Sequence, residues 1–203
     1  MGVIKAIIFD IGRVLFQWDL RYLFEKQIAD PEELNWFLAN VVTTEWHFQA
    51  DEGRVVADMV AERKAMFPQY AALLDMYAAR FIESIPAPVP GSLEIVHALS
   101  ARNVPLFAIT NFGAEFWDMF RPTQPVFDHF TDIVVSGVEK LVKPDAAIYQ
   151  LALNRFGLAA GQAIFIDDVA ANVEAARANG FAGHHFVDAQ TLRVELVALG
   201  LLA

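Results

Sequence analysis

The chain has 203 residues, 56% hydrophobic and 20% charged, enough for one large domain or a domain with an insertion. A net charge of −10 argues against a basic surface for nucleic acid, although a few local cations can still hold a small anion. There is no cysteine, which excludes disulfides, thiolate catalysis and zinc–cysteine sites.

The first apolar run, Val3 to Phe9, is too short for a signal peptide or a membrane span, and Asp10 follows it directly. A cytoplasmic protein without membrane contact is the expectation. The run reads as a buried parallel strand, with a carboxylate where it stops. Gly12 to Trp18 then reads as a tight turn. From Leu20 to Ile85 the pattern is helical. Asp30 stands as an N-cap before Pro31, with Leu34, Phe37, Leu38 and Val41 at core-facing spacing. Two more helices are predicted over Val55–Met66 and Tyr70–Ile82.

Ile85 to Gly91 holds three prolines and marks a linker. Beyond it helices and strands alternate. Helices are predicted over Ser92–Arg102, Ala114–Phe120, Ala146–Phe156, Ala171–Asn179 and Ala189–Val197. Strands are predicted over Pro105–Ile109, Asp132–Ser136, Ala163–Ile166 and Gly183–Val187. Such alternation implies parallel strands joined by crossover helices. The fold class is therefore α/β: a Rossmann-like parallel-sheet core, three-layer α/β/α, over 1–15 and 86–203. A small α-helical cap, 16–85, is inserted after the first strand, where it can cover Asp10 and exclude water.

Three strands end in polar groups: Asp10 after the first, Thr110-Asn111 after Ile109, and Asp167-Asp168 after Ile166. Open α/β sheets bind ligands beyond the carboxyl ends of their strands, so these groups converge on one expected crevice. With Phe9-Asp10-Ile11-Gly12-Arg13-Val14-Leu15, Ile109-Thr110-Asn111, Val142-Lys143-Pro144-Asp145 and Ile166-Asp167-Asp168-Val169-Ala170-Ala171-Asn172, the chain resembles the haloacid dehalogenase-like hydrolases. The four segments match that family's ordered motifs, and the resemblance extends over the whole chain. The run Asp10-Ile11-Gly12-Arg13-Val14 is similar to the first motif of a subgroup that includes bacterial α-D-glucose-1-phosphate phosphatases.

The resemblance implies a Mg²⁺-dependent phosphatase of a small phosphorylated metabolite, and the subgroup points to a sugar phosphate. Asp10 attacks phosphorus to form an aspartyl-phosphate, as an ionised carboxylate can. Asp10, Asp168 and the backbone carbonyl of Gly12 hold the metal, and Asp167 either coordinates it or acts through water. Asn172 stands where many relatives have a second acid. Lys143 neutralises nucleophile and phosphate together, whereas Lys140 is read as solvated. The Thr110 hydroxyl and Asn111 backbone N–H donate to phosphate oxygens. Arg13 is a candidate substrate contact directly after the turn.

Trp18, Trp46 and Trp117 are read as packing, and His47 and His129 as residues within reach of a substrate. In the insertion, Trp46-His47-Phe48 and Asp51-Glu52-Gly53-Arg54 are the segments expected to face the crevice. The departure from the family pattern is Gly12, where many of its phosphatases carry a second Asp as general acid and base. Its absence favours easily departing groups such as anomeric or acyl phosphates; a glycine there would also permit a positive φ. The alternatives are a metal-free 2-haloacid dehalogenase, which tolerates a non-acid at 12 but usually lacks the Asp167-Asp168 pair, and a non-catalytic ligand-binding relative. Monomer and homodimer are both compatible with the sequence.

Overall fold

The computed structural model describes residues 3–203, so the first two residues of the expected core segment lie outside the described residues. Strand β1 (Ala6–Phe9) is wholly buried. It starts at Ala6, later than expected, because Ala6 is where pairing with Ala163 begins and Val3 stands 84% exposed. The insertion contributes α1 (Arg21–Phe24), α2 (Pro31–Asn40), α3 (Thr44–Asp51), α4 (Val56–Met66) and α5 (Ala71–Arg80). The Asp30 side chain caps α2 by accepting the Glu32 N–H, as its position before Pro31 predicts. Helix α3 has no separate counterpart in the predicted elements; Thr43 caps it through the Trp46 N–H.

After the linker come α6 (Ser92–Ala101), β2 (Leu106–Thr110), α7 (Ala114–Phe120) and β3 (Asp132–Val135). A short α8 (Ser136–Glu139) follows β3 directly, then α9 (Ala146–Phe156), β4 (Ala163–Asp167), α10 (Ala170–Ala178), β5 (Ala182–His185) and α11 (Ala189–Ala198). All adjacent strands are parallel, in the order β3-β2-β1-β4-β5. Alternate strand residues face opposite layers. Ile7, Phe9, Leu106, Ala108, Ile164 and Ile166 join one hydrophobic cluster with α6, α7 and α11. Ala6, Ile8, Phe107, Ile109, Ala163 and Phe165 join another with α9 and α10. The three-layer α/β/α arrangement follows from that period of two. Each fully buried Phe or Ile contributes roughly 1.5–3 kcal/mol, so this double-sided core is the main source of stability.

Buried residues of the insertion, among them Leu34, Phe37, Trp46 and Tyr77, belong to the same cluster as Ile7 and Phe9. The linker is also tied down. Val89 N–H donates to Leu15 O at 2.9 Å and Gln17 N–H to Ala87 O at 2.9 Å, so the linker lies beside the turn that follows Asp10. The strand order places β1 at the switch point, with the chain running outward through β2 and β3 on one side and β4 and β5 on the other. That is where an open α/β sheet has its crevice.

Candidate active site

Parallel register brings the first and fourth motifs together. Phe9 pairs with Ile166, and Asp10 N–H donates to Ile166 O at 2.8 Å, so Asp10 and Asp167 leave the sheet side by side. Between them lies the ammonium of Lys143, whose Nζ donates to Asp10 Oδ1 and to Asp167 Oδ2, both at 2.7 Å. All three side chains are buried, with Lys143 only 2% exposed. Burial works against the charge of Lys143, but Asp10 and Asp167 together hold its pKa above the usual lysine value. Lys140, by contrast, is exposed.

One ammonium does not balance the carboxylates around it. Burial pushes the Asp10 carboxyl up to about 7; Lys143 opposes this and Asp167 adds to it. Asp168 is also raised, by burial first and then by Asp167, with Arg13 opposing. Ligand atoms of Asp10, Asp167 and Asp168 lie within 4.8 Å of one another. Oxygen donors with surplus negative charge suit a small hard cation such as Mg²⁺. Within that set Asp167 is already engaged. Its Oδ1 accepts from Val169 N–H at 2.8 Å, and Asn172 Nδ2 lies 3.1 Å from both of its oxygens.

Asp10, Lys143, Asp168 and Asn172 open onto a crevice of about 210 Å³, whereas Asp167 is fully buried and is not part of its lining. Asp10, Gly12, Arg13, Asn111, Lys143, Asp168 and Asn172 line it, so most of the residues singled out in the sequence share one wall. Thr110 does not join them; it is buried at the end of β2, behind that wall. Asn111 uses its side chain on the backbone of Lys143. Arg13 is exposed at the rim, and its guanidinium stands over the Trp18 ring at 5.1 Å. The opposite walls are largely aromatic: Phe16, Trp18, Phe48, Phe81, Phe112 and Phe120.

Several expectations are corrected. Trp18 is a crevice wall as well as packing, while Trp46 and Trp117 belong to the core. His129 is exposed and faces His97 and Ser100, away from the crevice lining. Gly12 does not have a positive φ; that conformation falls on Arg13, at 58°. A Cβ built on Gly12 meets nothing within 4 Å. The glycine therefore answers no local steric demand, and it leaves open space where an acid could stand.

Asp51 was expected only as part of the crevice-facing segment 51–54. Its signal was periodicity: Trp46, His47, Ala50 and Asp51 form the buried stripe of α3, and two of those four are polar. Polar side chains on a core-facing stripe call for an explanation. His47 and Asp51 both line the crevice.

The fold defines a three-layer α/β protein with an acidic crevice at its switch point. The haloacid dehalogenase-like hydrolase family matches residues 4–180, and the chain belongs to that family of hydrolases. Over 95% of its length it is 28% identical to the sesquiterpene phosphatase astK of Aspergillus oryzae, covering 94% of that protein. It is also 28% identical to the validoxylamine A 7'-phosphate phosphatase of Streptomyces hygroscopicus subsp. limoneus, over 66% of this chain and 58% of that protein. Among solved structures, a family enzyme of Bacteroides thetaiotaomicron in complex with magnesium superposes with a TM-score of 0.74 at 18% identity, covering 93% of this chain and 95% of that one. Among the described residues no helix is long and apolar enough to cross a membrane.

Proposed function

We propose that the protein is a Mg²⁺-dependent phosphatase of a small phosphorylated metabolite, acting through an aspartyl-phosphate on Asp10. The observation that carries this reading is the Lys143 ammonium held 2.7 Å from both Asp10 and Asp167, with Asp10 and Lys143 lining the switch-point crevice. Asp10 Oδ1 is fixed by Lys143, and the other carboxylate oxygen accepts no hydrogen bond from the described residues, so it is available to attack phosphorus. In that attack the P–O bond to the leaving alcohol breaks, and Lys143 offsets charge on the phosphoryl oxygens. Asp10, Asp168 and the Gly12 carbonyl would hold Mg²⁺, with Asp167 and Asn172 behind them orienting Lys143. The ion would supply charge neutralisation for the anionic substrate.

The helical insertion, 16–85, serves as a cap that closes the crevice over Asp10. His47, Phe48 and Asp51 of α3 support this, because they line the same crevice as Asp10 and Lys143. The aromatic walls suit an alcohol with an apolar face, whether one side of a sugar ring or a hydrocarbon, and the sesquiterpene phosphatase relative agrees with the latter. The test is a panel of sugar 1-phosphates, prenyl phosphates and aryl phosphates assayed with Mg²⁺ and with EDTA. Phosphate release that requires Mg²⁺ and disappears in Asp10→Asn is the expected result. Halide release from 2-chloropropionate in EDTA, without phosphate release from any ester, would replace this reading with that of a dehalogenase.

A further inference from the structure

We propose that Asp51 donates the proton to the leaving alcohol and then takes one from the hydrolytic water, the role for which position 12 has only a glycine. The inference rests on the phosphatase reading given above.

Asp51 sits in the last turn of α3, 6% exposed, on the wall of the crevice that holds Asp10 and Lys143. Its Oδ1 is buried and has no hydrogen-bond partner among the described residues. The imidazole Nε2 of His47 approaches it only to 3.8 Å, beyond hydrogen-bond range. A buried carboxyl oxygen left without a partner is costly, and such exceptions call for a functional reason.

The position of Asp51 is set by the core. Ser136 Oγ donates to the Asp51 carbonyl at 2.7 Å while accepting the Phe112 N–H at 2.9 Å, which ties the end of α3 to the ends of β2 and β3. Gly53 then turns the chain away at φ 90°, and a Cβ there would lie 2.9 Å from Gly137 O. The carboxyl is thus held on the same frame as the nucleophile.

Its protonation suits the role. Burial pushes Asp51 up to about 8; the Gly113 backbone N–H and Lys143 oppose this, while Asp10 and Glu52 add to it. At neutral pH it carries a proton. The other ionisable groups facing it are His47 and Tyr77. Burial pulls His47 down to about 4 and holds Tyr77 well above the ordinary tyrosine value. His47 is therefore a neutral wall, stacked on Phe81 at 5.3 Å with Nδ1 2.8 Å from the Tyr77 hydroxyl.

The protons balance over both steps. As Asp10 attacks phosphorus and the P–O bond breaks, the leaving oxygen takes the Asp51 proton and departs as the alcohol. Water then attacks the aspartyl-phosphate, gives its proton to the Asp51 carboxylate, and releases phosphate and Asp10. Asp51 ends as it began.

The experiment compares wild type with Asp51→Asn in Mg²⁺ buffer on p-nitrophenyl phosphate and on an alkyl phosphate, with ³²P trapping of the phosphoenzyme. Asp51→Asn is expected to lose about a hundredfold to ten-thousandfold in kcat/KM on the alkyl ester. The loss on the aryl ester should be much smaller, and labelled enzyme should accumulate there because the second step has lost its base. Equal effects on both esters without accumulated label would overturn the role of Asp51. A wild type that releases no phosphate from either ester in Mg²⁺ buffer would overturn the phosphatase reading, and this inference with it. Should Asp51→Asn fail to fold, the wild-type pH profile decides. The ratio of alkyl to aryl kcat/KM must fall as pH rises through about 8, and a constant ratio would overturn the proposal.

Discussion

Asn111 and Lys143 are joined by two hydrogen bonds: Asn111 Nδ2 donates to the Lys143 carbonyl at 3.0 Å, and Lys143 N–H donates to Asn111 Oδ1 at 2.8 Å. The amide at the end of β2 thereby clamps the backbone of the residue whose ammonium lies between Asp10 and Asp167. On the proposed mechanism this geometry makes Asn111 a positioning residue through its side chain. Asn111→Ala should lower kcat by roughly tenfold to a hundredfold, since small displacements of a charged group near the reacting atoms are costly. Asn111→Gln should not rescue it, because the longer side chain cannot keep both bonds in place. Steady-state kinetics on an aryl phosphate would settle this, and wild-type kcat in Asn111→Ala would remove the positioning role.

Removing the ammonium itself should affect stability as well as activity. Lys143→Ala leaves two buried carboxylates without their cation, a kind of change that typically costs about 3–5 kcal/mol. Lys140→Ala, at an exposed position, should stay within about 0.5 kcal/mol of wild type and retain activity. Urea unfolding and turnover of the two variants can be compared directly. If they behave alike, Lys143 is not the active-site lysine.

Gly12→Asp tests the open space at the crevice wall. A Cβ there meets nothing within 4 Å and the φ is not positive, so the variant should fold with a melting temperature close to wild type. With Asp51 in place a second acid should change the difference in kcat/KM between aryl and alkyl phosphates little, because the leaving oxygen already has a proton donor. Introduced into Asp51→Asn, it should restore part of the lost alkyl activity. Failure to restore any, in a folded double variant, would mean that the two positions do not serve the same oxygen.

The Asp51 carboxyl also makes a prediction about stability and pH. Its folded pKa of about 8 lies above the ordinary value of 3.8. Between those values the unfolded chain releases the proton and the folded chain keeps it. Stability contributed by the protonated group is therefore fully present below about 4, declines as pH rises, and levels off above about 8. The slope is at most about 1.4 kcal/mol per pH unit. Asp51→Asn lacks this dependence and should gain stability relative to wild type between pH 5 and pH 7.5. Parallel urea curves at the two pH values would show otherwise.

Much of this protein was legible from local chemistry. Apolar runs ending at Asp10, Thr110 and Asp167 marked three central strands, because a parallel strand buried on both faces is a short unbroken hydrophobic run. Asp30-Pro31 marked the start of α2, and the helices over Ala114–Phe120 and Ala146–Phe156 have the ends their sequence predicts. The motif carboxylates and Lys143 could be assigned to one crevice because chain direction in a parallel sheet puts every strand end on the same side.

Tertiary structure decided what depends on facing and distance. Asp51 and Glu52 are adjacent acids in sequence, yet Asp51 is buried against the crevice and Glu52 is exposed, because neighbouring helical positions point about 100° apart. Thr110 and Asn111 are likewise adjacent, and only packing sends Thr110 behind the wall and the Asn111 amide onto Lys143. Register alone put Asp167 beside Asp10, where Lys143 and Asn172 engage its oxygens. A sequence carries the identity of each ionisable group, but its pKa and its partners are set by burial and by neighbours that arrive from more than a hundred residues away, as Lys143 does at Asp10, 133 positions along the chain.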